Sequence, residues 1–299
     1  MSFSKRLKTI VVATDLQGHS EAALEYARKI AAAYGARIVL AHGVDPLDYA
    51  AINGVPAPVM KDLAEEARAA LDILAHDLLR EGIHSHSEIR QGTVAEMLVA
   101  VALQYEAGLI VIGTEGMQGA GPVLVGSIAE ALVRLAPCPV MAVAADWNAG
   151  TFRPAPGGPV LLAMERNEAS AAAVATAWSL AETFRRALIV LHARTPEEVR
   201  TQTSPCAATL EEFGVKATAQ SPVRCVVMDG TPAEVVDAAI TQYHPCILVA
   251  GVKRASDTKG PHGTAFALLA RSRVPVMCVP PEKAEVNLEQ EACIPAETR

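Results

Sequence analysis

The chain of 299 residues is 51% hydrophobic, more apolar material than one ordinary core holds, so two domains are expected. Its 33 acidic residues outnumber 26 basic ones, the net charge is -7, and no long Lys/Arg block occurs, which argues against a nucleic-acid footprint. No apolar run reaches the ~18 residues of a membrane span, and the apolar stretch of "MSFSKRLKTIVVATD" is too short for a signal peptide because it ends at Asp15. Six cysteines (Cys138, Cys206, Cys225, Cys246, Cys278, Cys293) are scattered without a CxxC pair, as in a cytoplasmic protein whose cysteines are reduced and structural.

The first element is "TIVVAT", a β-branched run suited to a strand buried on both faces. "SEAALEYARKIAAAYG" follows as a helix, with Ser20 at its N-cap and Gly35 past its end. "ARIVLAHG" is a second strand, Asp45 to Met60 a loop, and Lys61 to Glu81 a second helix closed by Gly82. "SHSEIRQ" is a weaker third strand. Thr93 and Glu96 have the spacing of a capping box opening a third helix, "AGLIVIG" is a fourth strand, "SIAEALVRLA" a further helix and "CPVMAVA" a last strand. Gly and Pro then break the pattern in a linker, after which the chain repeats itself.

The repeat is the strongest internal signal. Thr9 to Gly43 matches Pro159 to Ala193 at a constant offset, so that Ser20 falls on Ser170 and His42 on His192. Gly92 to Gly113 matches Gly230 to Gly251, with "TPAE" (Thr231 to Glu234) repeating the capping box and adding Pro at the first helical position. "GSIAEALVRLAPCPVMAV" returns as "GTAFALLARSRVPVMCV", where Arg271 answers Arg134. The chain is therefore α/β, two tandem copies of a Rossmann-like domain, each with a mostly parallel five-stranded sheet. The expected division is 1–146 for the first copy, 147–158 for the linker, 159–281 for the second copy and 282–299 for a polar tail. In such sheets ligands sit beyond the carboxyl ends of the strands, where the strand order reverses, and Asp15, Gly43 and Gly113 fall at such ends.

"GTEGMQGAGPVLVGS", Gly113 to Ser127, joins a strand to a helix through a glycine-rich loop. Backbone N–H groups at a helix N-terminus, glycines that permit close approach and a hydroxyl donor together suit a phosphate. The plainer alternative is that Ser127 only caps its helix, since "SIAE" is itself a capping box. The loop is neither a Walker A sequence nor a GxGxxG dinucleotide fingerprint.

The spacing Gly113, two residues, Gly116, nine residues, Gly126-Ser127 resembles the G-x2-G-x9-G-(S/T) pattern of ATP-binding universal stress proteins. The opening "IVVATD" before a Ser-initiated helix, His42 at the second strand's end and the closing "SIAEALVRLAPCPVMAV" are similar to the same family, and the likeness runs twice over from Thr9 to Val279. The resemblance implies a tandem member with an adenine nucleotide alpha-hydrolase-like fold. It implies that Asp15 and backbone at Gly43 meet the adenine of ATP or a related adenine nucleotide. Gly113, Gly116, Gly126, Ser127 and the amide of Ile128 would take ribose and phosphates, with Mg2+ as a companion ion. For Asp15 alone, an Asx-turn before the helix is the other reading. The resemblance also implies pairing of domains through their last strands, "CPVMAV" and "VPVMCV", which a tandem chain makes internally as a pseudo-dimer; association of two chains into a homodimer stays open.

Charge tempers this expectation. No Lys or Arg occurs from Gly113 to Val133, while Glu115 lies in the loop and Glu130 in the first helical turn. Like charges a few Å apart repel by ~1 kcal/mol or more, so a triphosphate there needs a metal or fewer charges. In the second copy Glu165 replaces Asp15, Arg254 replaces Gly116 and the spacer before Gly263-Thr264 is one residue shorter, so a structural role is expected there, although Lys253, Arg254 and Lys259 leave an anion conceivable.

Nothing points to a catalytic residue or a resident metal. His84 and His86 share a strand face without further ligands nearby and read as solvent-exposed; His76 reads as a surface residue; the matched His42 and His192 read as a repeated packing feature. No nucleophile elbow occurs, and no Arg or Lys near the loop supports phosphoryl chemistry. The expectation is a cytoplasmic, non-enzymatic stress or signalling protein binding an adenine nucleotide in copy one. The alternatives are an interaction protein of the same fold without nucleotide and, least supported, a slow ATPase.

Overall fold

The computed structural model describes residues 3–16, 18, 20–44, 57–114, 127–144, 157–165, 170–194, 198, 210, 212–252 and 264–282. In chain order the elements are α1 (Phe3–Arg6), β1 (Thr9–Ala13), α2 (Glu21–Tyr34), β2 (Arg37–Val44), α3 (Ala57–Arg80), β3 (Ser85–Gln91), α4 (Val94–Gln104), β4 (Leu109–Thr114), α5 (Ser127–Leu135) and β5 (Val140–Ala144). The second series is β6 (Val160–Ala163), α6 (Ser170–Thr183), β7 (Leu188–Arg194), β8 (Val223–Asp229), α7 (Pro232–Tyr243), β9 (Ile247–Gly251), α8 (Thr264–Arg271) and β10 (Val276–Val279).

All these strands join one 10-stranded sheet in the order β3-β2-β1-β4-β5-β10-β9-β6-β7-β8. Each half is parallel throughout, as its buried, β-branched strands require. The seam alone is antiparallel: Val276, Met277 and Cys278 of β10 face Ala142, Met141 and Val140 of β5. The strands of the two halves therefore run in opposite directions. Their carboxyl ends, where ligands of such sheets bind, lie at opposite edges of the molecule.

Two apolar layers cover the sheet, and each is continuous across the seam. One packs α1, α2, α3 and α6 over Ile10, Leu40, Met141, Leu162 and Met277. The other packs α4, α5, α7 and α8 over Val11, Ile110, Val140, Leu248 and Val276. α6 is buried nearly all round, including Ser170, Thr176 and Ser179, because α1 lies on the side that the sheet does not cover. Phe3 is 1% exposed, and its ring meets Tyr34 edge-on at 5.9 Å. Tyr34 in turn shares a 3.1 Å hydrogen bond with Ser179 across the seam and packs against Phe184.

Local signals were honoured unevenly. Gly35 closes α2 in the left-handed conformation (φ 66°), and its N–H donates to the Ala31 carbonyl. The second copy's capping box forms in full: Thr231 accepts from the Glu234 N–H while the Glu234 carboxylate accepts from the Thr231 N–H, with Pro232 opening α7. The first copy's does not: the Thr93 hydroxyl donates to the Glu96 carboxylate at 2.7 Å, as that of Thr231 does to Glu234, but Thr93 makes no cap bond to the backbone. α3 starts at Ala57, ahead of the expected Lys61, with Pro58 in the first turn, where its missing N–H costs nothing. The remainder of the 45–60 loop, most of the linker and the tail beyond Glu282 lie outside the described residues.

Candidate functional site

In the first half β1 lies between β2 and β4, so the strand order reverses at β1 and the carboxyl ends of β1 and β4 border the crevice. Thr14 and Asp15 follow directly on β1, His42 and Gly43 lie at the end of β2, and Gly113 and Thr114 close β4. α5 begins at Ser127, with Ser127 and Ile128 exposed at its first turn. Gly116, Gly126 and Glu115 lie outside the described residues.

A hydrogen-bond cluster fixes the end of β1. The Ser20 hydroxyl donates to Asp15 Oδ1 at 2.8 Å. As an acceptor, Ser20 Oγ takes the Asp15 N–H at 3.3 Å and lies 3.1 Å from Thr14 Oγ1. A hydroxyl has one proton to give, so Thr14 donates to Ser20, and Thr14 Oγ1 accepts the Leu16 N–H at 3.2 Å. Leu16 has φ 59°, a left-handed backbone that a branched apolar residue adopts only under constraint. Ser20 is thus not the side-chain N-cap expected of it; no cap bond forms, and its hydroxyl is turned back onto Asp15. The lone pairs that a cap would use are taken by the Asp15 N–H and the Thr14 hydroxyl.

β2 is tied to β1 at the same level. His42 Nδ1 lies 2.8 Å from the Thr14 carbonyl, which can only accept, so the proton is on Nδ1. Its repeat, His192, meets the carbonyl of the matching Met164 at 3.4 Å. The recurrence of the two histidines in the sequence signalled this bridge, although not its partner. At Gly43 a Cβ would come 3.1 Å from Met97 Cε and 3.2 Å from Val94 Cγ2, so the glycine lets α4 close on the strand end.

The electrostatics of α5 differ from the sequence expectation in one respect. Glu130, counted as an uncompensated charge in the first turn, accepts from Arg134 at 2.7 Å. Arg134 lies one turn further on, just past the stretch devoid of Lys and Arg, and an i,i+4 pair of this orientation is worth about 0.3 to 0.5 kcal/mol. The first-turn N–H groups of α5 have no intrahelical acceptors and carry the positive end of the helix dipole, which suits an anion.

Elsewhere, His84 and His86 are exposed; His86 lies 3.4 Å from Glu88 and against the Tyr105 ring. Among the described residues no group of three or more His, Cys, Asp or Glu could hold a metal ion, and no helix is long and apolar enough to cross a membrane. A cleft of about 1080 Å³ opens at the amino ends of the first-half strands, between Thr9, Arg37 and Gly108 on one side and Val279 to Glu282 on the other. It lies at the opposite edge from Asp15 and follows the seam, where Arg6 pairs with Glu282 at 3.1 Å.

The sequence profile described as the Universal stress protein family matches residues 6–144. A universal stress protein of Thermus aquaticus is 32% identical over 46% of this chain and 98% of its own length. The chain belongs to the universal stress protein family. A universal stress protein of Methanocaldococcus jannaschii is 33% identical over 46% of this chain and 81% of its own length. The crystal structure of a universal stress protein from Archaeoglobus fulgidus superposes with a TM-score of 0.74 at 16% identity, covering 91% of this chain and 98% of that one. That likeness concerns the fold, and its span shows that the two-copy architecture is shared. The single-domain length of the Thermus relative fits one copy of this tandem universal stress protein.

Proposed function

We propose that the first half binds an adenine nucleotide, ATP or a close relative, and that the second half is its built-in structural partner in a stress-response or signalling protein that works without turnover. The observation that carries this reading is the convergence of Asp15 and Gly113 on the two strand ends bordering the reversal point, with the open first turn of α5 beside them. Asp15, held by Ser20 through one oxygen, accepts from an amino group of the base, and backbone at Gly43 reads the rest of its edge. Gly113, Gly116, Gly126, Ser127 and the Ile128 amide receive the ribose and phosphates. Mg2+ offsets the charge of Glu115. In this reading 1–146 is the nucleotide-binding unit and 159–281 its partner, joined by 147–158 and followed by the tail 282–299. The cytoplasm, where nucleotide is abundant, is its site of action.

One observation favours a second reading, an interaction protein without nucleotide: Asp15 is already engaged by Ser20 in a turn that holds together without a ligand. A single experiment separates the two. Protein purified without added ligand is denatured, and any released nucleotide is identified by chromatography and mass spectrometry. An adenine nucleotide that co-purifies, and is lost in Asp15→Ala and Gly126→Ala, supports binding. Empty protein that shows no thermal shift with Mg-ATP leaves the interaction reading. Phosphate release over hours would reveal a slow ATPase.

A further inference from the structure

The second half holds a cavity of about 320 Å³ at its own strand ends, on the opposite edge of the molecule from Asp15. It falls within the size range of small-molecule pockets, with room for about ten water volumes. Its walls are apolar, formed by Met164, Leu191, Val235, Val236, Ala265 and Leu268. Three polar side chains also line it: Glu165, His192 and Glu198. His192 is 6% exposed and spans from the Met164 carbonyl to the Glu198 carboxylate, 3.1 Å from Nε2. Among the described lining residues there are two carboxylates and no Lys or Arg. Arg194, next along β7, is held by both oxygens of Asp229 at 2.6 and 2.8 Å.

The two copies differ here by a paired exchange. Where the first half has Gly43 against Met97, the second has Ala193 and Val235 at the matching positions, both lining the cavity. In the first half the Met97 terminus occupies the space that a Cβ at Gly43 would need. In the second the chain carries that Cβ, and the shorter valine leaves apolar room beside it. The carboxylate group of Glu198 is fixed by a buried imidazole. Carboxylates at the end of an apolar slot reward a donor, because N–H bonds to a carboxylate are the stronger, charge-assisted kind. The Met164 thioether favours an aromatic ring over an aliphatic chain.

We propose that the second half binds a small aromatic amine, with its ring between the apolar walls and its amino group at the Glu198 and Glu165 carboxylates. The site is independent of the nucleotide reading of the first half.

The test is calorimetric titration of the full chain with tryptamine, with indole-3-acetate as the matched anion and AMP as the nucleotide control. Tryptamine is expected to bind once per chain, and indole-3-acetate at least about tenfold more weakly. Glu198→Gln should weaken tryptamine about tenfold, whereas AMP, if it binds at the first half, is unaffected. Val235→Met combined with Ala193→Gly, the pairing the first half already tolerates, should fill the cavity and abolish tryptamine binding while the melting transition stays cooperative. Failure of the wild type to bind tryptamine, unchanged binding in both variants, or an acid bound as tightly as the amine overturns the proposal.

Discussion

His42 donates from Nδ1 to the carbonyl of Thr14 across 2.8 Å, joining the ends of β2 and β1 where the candidate site opens. The bond fixes the imidazole tautomer and sets the carbonyl beside Asp15. An intramolecular hydrogen bond of this kind contributes about 0.5 to 1.5 kcal/mol net, and the half-buried ring adds packing. His42→Ala is therefore expected to lower stability by about 1 to 2 kcal/mol in urea titrations. His192→Ala removes the contact of Nε2 with the Glu198 carboxylate beside an apolar wall, so its cost should be at least as large. A neutral outcome at His42 would mean that the strand ends are held by the sheet alone.

Gly43 and Met97 form a second pair with a quantitative test. A Cβ at Gly43 meets Met97 Cε at 3.1 Å and Val94 Cγ2 at 3.2 Å, tight contacts with side-chain ends that yield only partly. Gly43→Ala should cost about 1 kcal/mol, the lower range of overpacking. Met97→Val alone should cost about 1 kcal/mol by leaving space. The double variant reproduces the Ala193 and Val235 combination of the second half and should cost less than the sum, giving a coupling of about 0.5 kcal/mol or more in a double-mutant cycle. Strict additivity would show that the two copies are packed independently of this exchange.

The parts legible in the sequence were those carried by period and repetition. The β-branched runs became buried strands, the offset between copies became the twofold series of elements, and the glycine after "AGLIVIG" fell at the end of β4. The last-strand pairing drawn from the family resemblance is the observed β5–β10 seam. What the sequence withheld were choices among nearby partners. Ser20 and Thr93 both sit where caps belong, yet one hydroxyl donates to Asp15 and the other to Glu96, and neither accepts a cap bond. Arg134 was counted only as a residue outside the loop, and its reach of one helical turn back to Glu130 is a matter of geometry. The cavity of the second half is lined by Val235 where the first half has Met97, a difference that no single motif advertises.

The two capping threonines predict unequal losses. Thr231 accepts from the Glu234 N–H in a complete box, whereas Thr93 makes no bond to the backbone of its helix. Thr231→Ala should cost about 1 kcal/mol, the usual value of an N-cap. Thr93→Ala removes an exposed side-chain pair and should cost less than half of that. Equal effects in parallel denaturation curves would indicate that the Thr93 box forms in solution.

The seam should make the protein sensitive to alkali. Burial pushes the thiols of Cys138 and Cys278 up to about 12 from an ordinary 9.0. Burial also raises the Tyr34 hydroxyl above its ordinary 10.0, against the opposing hydrogen bond from Ser179. In each case the folded value exceeds the unfolded one, so the unfolded chain releases its proton first. The associated stability is complete below about pH 9 for the thiols and is lost progressively as pH rises toward about 12. Cys278 faces Val140 across the antiparallel seam, so its ionisation strikes where the halves join. Replacing both cysteines by Ala should cost about 1 to 2 kcal/mol at neutral pH through lost packing, while flattening the decline of stability above pH 9. Urea midpoints measured at steps from neutral pH upward, in wild type and double variant, give both numbers. If the two curves stay parallel through the alkaline range, the thiols are not the titrating groups, and Tyr34→Phe becomes the variant that should flatten the curve.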